Sequence, residues 1–219
     1  MICEWCRATF YAARPAGFCS RKCRQASFRL RHRRELEAEY AKPQRFAYAD
    51  PPYPGLSAKY YRNEESFAGE VDHAELIARL SAPGAYFGWA LSTSARALRE
   101  ILPLCPPDAR VCAWVKPIGV PPASAGIHNN WEPLIVVGGR QRPPGRADWL
   151  RAQPARFEGE LPGRKPSEFI AWMFDLLGMT KGDALDDLFP GTGIVGRAWA
   201  SLNVGASQLP LFASPSETT

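Results

Sequence analysis

The strongest constraint on this chain is a set of short apolar runs, each of strand length, set between segments of helical period. Residues 85–92 (AYFGWALS), 110–116 (RVCAWVK) and 132–138 (EPLIVVG) do not alternate polar with apolar. A strand with one wet face alternates, whereas an uninterrupted run needs cover on both faces. Between the runs, Asp72 and Glu75 make a capping-box-like start to HAELIARL, and 94–102 (SARALREIL) has helical period. PSEFIAWMFDLLG has proline in its first turn and glycine just past its end, the common asymmetry of a helix. DALDDLFPGTGIVGRAWASL then reads as strand, glycine turn and helix. The expectation is an α/β domain, a mainly parallel sheet flanked by helices.

Charge divides the chain unevenly. Residues 1–45 carry 11 Lys or Arg against four Glu, a net of +7, and the rest carry 16 against 18 acids, a net of −2. A basic segment of this kind points to a polyanion partner, nucleic acid above all. No stretch reaches the roughly 20 apolar residues of a membrane span, and MICEWCRATF is not patterned as a signal peptide. A cytoplasmic setting with reduced thiols is expected.

The same basic segment holds Cys3, Cys6, Cys19 and Cys23, two close pairs separated by a 12-residue spacer. Two thiolate pairs at this spacing suit a tetrahedral zinc site, and so short a segment needs metal to fold. Cys105 and Cys112 stand alone in apolar surroundings and read as core. GFCSRKCRQASFRLRHRR resembles treble-clef or zinc-ribbon modules in which the second cysteine pair opens a basic helix. Arg24, Arg29, Arg31, Arg33 and Arg34 would lie along that helix, suited to phosphate or groove contact, or to docking a protein.

Two further stretches carry chemistry. Asp50-Pro51-Pro52-Tyr53 follows a short apolar run and can be neither helix interior nor central strand. It is a stiff corner offering one carboxylate and one aromatic face. In DDLFPGTGIVG, Gly191 and Gly193 permit a tight turn beneath a ligand, ahead of a helix whose first amides point the same way.

Taken with Lys165-Pro166 before a helix, these stretches resemble the signature set of S-adenosylmethionine-dependent amino-methyltransferases, in the motif order of the permuted β-class. The likeness covers roughly residues 45–205 and implies methyl transfer to the N6 amine of adenine in DNA. By the resemblance, Asp50, Pro51, Pro52 and Tyr53 are catalytic. Asp50, Lys165, Pro166, Ser167, Asp187, Phe189, Pro190, Gly191, Thr192 and Gly193 line the cofactor, with the lysine segment near its methionyl part. Related enzymes often carry a glutamate where this chain has Glu132. The chain departs from the family in two places. LNVGASQ offers no acid for the cofactor's ribose, and no target-recognition domain is present beyond the Pro/Gly/Arg-rich insert 138–163, expected to be a mobile loop. The competing readings are an RNA adenine methyltransferase, against which Tyr53 counts, and a non-catalytic DNA- or clamp-binding protein on a degenerate methyltransferase fold.

Near the end, Gln208, Leu209, Leu211 and Phe212 resemble the pentapeptide by which bacterial replication and repair proteins dock on the sliding clamp, which implies a bacterial or viral setting. The expected organisation is a zinc-binding basic module over 1–42, a methyltransferase domain over 43–206, and a flexible tail over 207–219.

Overall fold

The computed structural model describes residues 1–12, 16–53, 70–117, 129–140, 145–154 and 165–203. The chain divides into two compact units, Met1–Pro43 and Gln44–Thr219.

The second unit is built on a six-stranded mixed sheet: β1 (Arg45–Ala49), β2 (Gly88–Ser92), β3 (Arg110–Val115), β4 (Trp131–Gly138), β5 (Trp149–Arg151) and β6 (Ala184–Asp187). Their spatial order is β5-β3-β4-β2-β1-β6. β1 runs parallel to both β2 and β6, and β3 parallel to β5, while β4 opposes β2 and β3. The mainly parallel sheet expected from the apolar runs is therefore parallel everywhere except at β4. Helices cover both faces. On one, α4 (Ser167–Leu176) and α5 (Ile194–Asn203) pack Phe169, Met173, Phe174 and Trp199 against Phe46, Tyr48, Trp114 and Leu134. On the other, α2 (His73–Leu80) and the short α3 (Leu98–Ile101) cover Ala47, Ala49, Trp89, Leu91 and Ile135.

The helices start and stop for local reasons. Asp72 caps α2 by accepting from the Glu75 amide at 2.9 Å, and His73, Leu76, Ile77 and Leu80 form its buried stripe. The segment expected as one helix over 94–102 is helical only from Leu98. The Ser94 hydroxyl accepts from the Ala97 amide at 3.2 Å, holding a turn in place of the first helical turn, and Pro103 sits in a following 3-10 turn. Past the end of α4, Gly178 has φ +64°, and a Cβ there would come within 2.4 Å of the Arg140 carbonyl oxygen.

That contact belongs to a buried cluster at the amino edge of the sheet. Arg140 donates to Asp183 through Nη1 at 2.5 Å and Nη2 at 2.8 Å, and both side chains are fully enclosed. Asp183 also accepts from the amides of Gln44 at 2.8 Å and Thr180 at 2.6 Å, tying the entries of β1 and β6 to the exit of β4. Parts of the 138–163 insert are thus built into the sheet unit. Arg140 is core, and β5 joins the sheet through a ladder from Ala113↔Trp149 to Val115↔Arg151. Residues 141–144 and 155–164 of that insert lie outside the described residues.

The first unit consists of an antiparallel bridge, Ile2↔Thr9, followed by α1 (Arg21–Ala41). Arg7 at φ +63° turns the chain back between Cys3 and Ala8, whose amide and carbonyl join at 2.9 Å. The Ser20 hydroxyl caps α1 by accepting from the Cys23 amide at 3.2 Å.

Candidate functional site

The expected catalytic corner and the glycine turn leave adjacent strands on the same edge. β1 and β6 pair in register up to Tyr48↔Asp187, so Asp50 and the turn from Leu188 onward emerge side by side. The helix after β1 lies on one face of the sheet and the helix after β6 on the other, which makes this edge the point where strand order reverses. The Leu188 amide donates to the Tyr48 carbonyl at 2.9 Å, extending the pairing by one residue. Beyond it Gly191 and Gly193 adopt φ +47° and +70°. A Cβ at Gly191 or Gly196 would meet nothing within 4 Å, so the backbone on this side stands open.

Asp187 is the acid of the turn. Both its carboxylate oxygens are buried without a hydrogen-bond partner among the described residues. Burial pushes its pKa up; the amides of Phe189 and Gly196 oppose this without closing a hydrogen bond, and the charge of Asp50 adds to the rise.

Asp50 is bound from below. Lys165, whose side chain is 5% exposed, donates through Nζ to Asp50 Oδ1 at 3.0 Å and Oδ2 at 2.8 Å. The same ammonium lies 3.6 Å from Glu132 Oε2, and Glu132 Oε1 accepts from Lys116. Trp114 and Phe169 form the floor, with their ring centroids 5.8 Å and 5.7 Å from Lys165 Nζ. Burial alone would depress the lysine pKa, but Asp50 and then Glu132 outweigh it and hold it above the ordinary lysine value. Tyr48 shares a hydrogen bond of 2.9 Å with Ser92, and burial with the Asp50 charge raises its pKa well beyond the usual phenol. Among the expected cofactor residues, Pro166 is buried at the N-cap of α4, Phe189 is half-buried, and Ser167, Pro190 and Thr192 are exposed.

Lys116 and Trp114 were not anticipated as site residues. The only sequence signal was a lysine placed directly after an apolar run. Pro133 also marks this edge. It has no amide proton, so the β2–β4 ladder stops at a single bond from the Thr93 amide to the Pro133 carbonyl, 3.1 Å long.

In the first unit the Sγ atoms of Cys3, Cys6, Cys19 and Cys23 lie within 4.8 Å of one another, with Cys6–Cys19 and Cys19–Cys23 at 3.5 Å. Zn–S bonds of about 2.3 Å in a tetrahedron separate sulfurs by roughly 3.8 Å. The four positions therefore fit one zinc ion. Burial would raise the Cys3 pKa, but the amides of Cys19, Cys6 and Trp5 win and bring it down to about 6. The thiols of Cys23, Cys6 and Cys3 push Cys19 up to about 12. Without a cation the quartet does not carry four charges. The five arginines lie on α1 as expected, and all five are exposed. At about 100° per residue they surround the helix: Arg24 and Arg31 on one side, Arg29 and Arg33 on another, Arg34 between. Gln208, Leu209, Leu211 and Phe212 fall outside the described residues.

No protein-family model matches the chain, and no curated protein matches it. Among solved structures, the crystal structure of the M1.HpyAVI–SAM complex aligns with a TM-score of 0.49 at 17% identity, over 77% of this chain and 84% of that one.

Proposed function

We propose that the chain is an S-adenosylmethionine-dependent methyltransferase acting on the N6 amine of adenine in DNA. One observation carries the reading: the Asp50 corner and the Asp187–Gly193 turn leave neighbouring parallel strands at a reversal of strand order, where open α/β sheets hold ligands. The residues fit the cofactor. Asp187 offers buried carboxylate oxygens, unbonded among the described residues, to a cationic ligand, and Gly191 and Gly193 give the tight turn beneath it. Pro190 and Thr192 are exposed in that turn, Phe189 packs half-buried against the core beneath α2, and Pro166 and Ser167 open α4 at the same edge. When bound, the cofactor supplies an electrophilic methyl group.

The chain's own residues do the rest. The Asp50 carboxylate and a carbonyl of the Pro51–Pro52 turn accept the two amine protons, fixing the nitrogen lone pair toward the methyl group before reaction. Tyr53 gives the extruded base a stacking face, worth about 1–3 kcal/mol in comparable sites. The zinc quartet holds the start of α1, whose encircling arginines suit contact with phosphates on more than one side. Gln208, Leu209, Leu211 and Phe212 would tether the enzyme to a sliding clamp and raise its effective concentration on DNA.

The test is incubation of DNA with labelled cofactor, followed by nucleoside mass analysis. N6-methyladenine is expected, and Asp50→Ala should abolish its formation while leaving DNA affinity within about twofold. Methylated RNA would move the substrate class. Absence of both transfer and cofactor binding at millimolar concentration would leave the non-catalytic reading.

A further inference from the structure

Four charged side chains alternate in sign across the carboxyl edge: Lys116, Glu132, Lys165 and Asp50. Their side-chain exposures are 22%, 15%, 5% and 26%, so the second ammonium is the deepest member and sits between two acids. One carboxylate suffices to neutralise a buried lysine, and this lysine has two. Glu132 Oε2 has no hydrogen-bond partner among the described residues, and Lys165 is the cation beside it at 3.6 Å. The two contacts to Asp50, at 3.0 and 2.8 Å, use one lone pair on each carboxylate oxygen. Among the described residues nothing else bonds to Asp50, so its outer lone pairs are left for a substrate.

Resting on the methyltransferase reading above, we propose that Lys165 and Glu132 are a positioning pair for Asp50 and that Lys165 does not contact the cofactor. Lys165 fixes the plane of the Asp50 carboxylate so that one outer lone pair meets the amine proton. Glu132 holds the ammonium in place and keeps it charged, and Lys116 balances Glu132. The groups facing Lys165 agree with this division. Asp50 comes from the end of β1 and Glu132 from β4, with Lys116 from the end of β3 against Glu132, the Trp114 and Phe169 rings beside the ammonium, and the buried Tyr48 phenol close enough to feel the Asp50 charge. Both hydrogen bonds described for the lysine ammonium go to Asp50, and Glu132 Oε2 lies 3.6 Å from the nitrogen that carries the third N–H, so a cofactor carboxylate would have to compete with two acids for this cation.

The test uses the full chain and the near-isosteric variant Glu132→Gln, with Lys165→Met beside it, both first checked for native circular dichroism. Lysine-selective NMR would follow the Lys165 ammonium through alkaline pH, independently of activity. Its titration should move down in Glu132→Gln, because a negative charge that favours the ammonium has gone. Methyl-transfer kcat should fall in both variants, by about 10²-fold for a misplaced reacting group. Cofactor Kd should stay within about twofold. A Kd weakened tenfold or more in Lys165→Met, with kcat retained at saturation, would make Lys165 a cofactor ligand and overturn the proposal. So would a lysine titration unmoved by Glu132→Gln. Failure of the unaltered chain to transfer any methyl group would remove the methyltransferase reading by itself, and the lysine titration would still decide the charge pairing.

Discussion

Removing Asp183 should be among the most damaging single changes in the sheet unit while leaving the candidate site intact. Its carboxylate is enclosed together with the Arg140 guanidinium, which donates two bonds to it at 2.5 and 2.8 Å. Burial would raise the Asp183 pKa; the hydrogen bonds from Arg140 and from the amides of Thr180 and Gln44 overcome it and hold the carboxyl below the usual range. Asp183→Ala takes from the enclosed Arg140 guanidinium the carboxylate that accepts two of its bonds, a loss of about 3–5 kcal/mol for breaking a buried pair. Against a typical total of about 5–15 kcal/mol that is a large share. At roughly 2–4 °C per kcal/mol for a domain of this size, a loss of about 4 kcal/mol lowers Tm by about 8–16 °C. Urea unfolding followed by tryptophan emission is a suitable assay, since Trp199 Nε1 donates to the Asp183 carbonyl at 3.1 Å. Replacing both partners with apolar residues, Arg140→Met with Asp183→Leu, should recover much of the loss, because no lone charge remains. The depressed carboxyl also gives a pH signature. Its contribution is complete above the unfolded pKa near 3.9 and fades as pH falls through the lower folded value, so Asp183→Asn should flatten the stability curve below about pH 5. A loss under about 1 kcal/mol in Asp183→Ala, or an acid limb unchanged in Asp183→Asn, would refute the reasoning.

Two further expectations follow from the geometry. Cys19→Ser should abolish binding of about one zinc per chain by atomic absorption and unfold the first unit, and full helicity of Met1–Pro43 in the presence of chelator would contradict the metal site. Gly178→Ala combines a positive φ with a Cβ 2.4 Å from the Arg140 carbonyl, and should cost about 1–3 kcal/mol in the same urea assay, whereas Gly182→Ala, whose Cβ meets nothing within 4 Å, should lose less.

What the sequence disclosed depended on how local the signal was. The cysteine quartet was legible because four sulfurs at fixed spacing have few arrangements, and the α2 cap was legible because Asp72 and Glu75 are three residues apart. The Asp50 corner and the glycine turn were readable as objects, and their adjacency follows from the β1–β6 pairing between segments over 130 residues apart. Ser94 hid the late start of α3, because a hydroxyl bonded to the backbone replaces a helical turn without changing the apolar period. β5 escaped notice since three residues, WLR, are too few to show a pattern. The buried role of Arg140 escaped for a related reason: an arginine in a Pro/Gly-rich stretch reads as solvent-facing until Asp183 is brought beside it.

The direction of β4 was the least accessible feature, and it matters most for the site. A continuous apolar run such as PLIVV looks the same in either direction, because both of its faces are covered whichever way it runs. In an all-parallel sheet the carboxyl edge receives only residues that follow strands, as Asp50 follows β1 and Lys116 follows β3. A reversed strand brings the residue at its start to that edge. Glu132 reaches Lys165 because β4 opposes β2 and β3, with Trp114↔Glu132 and Ser92↔Leu134 in register. Pro133, next in the chain, ends the ladder to β2 and leaves the glutamate at an open border. The same reversal that breaks the parallel pattern therefore supplies the second acid of the charge chain beneath Asp50.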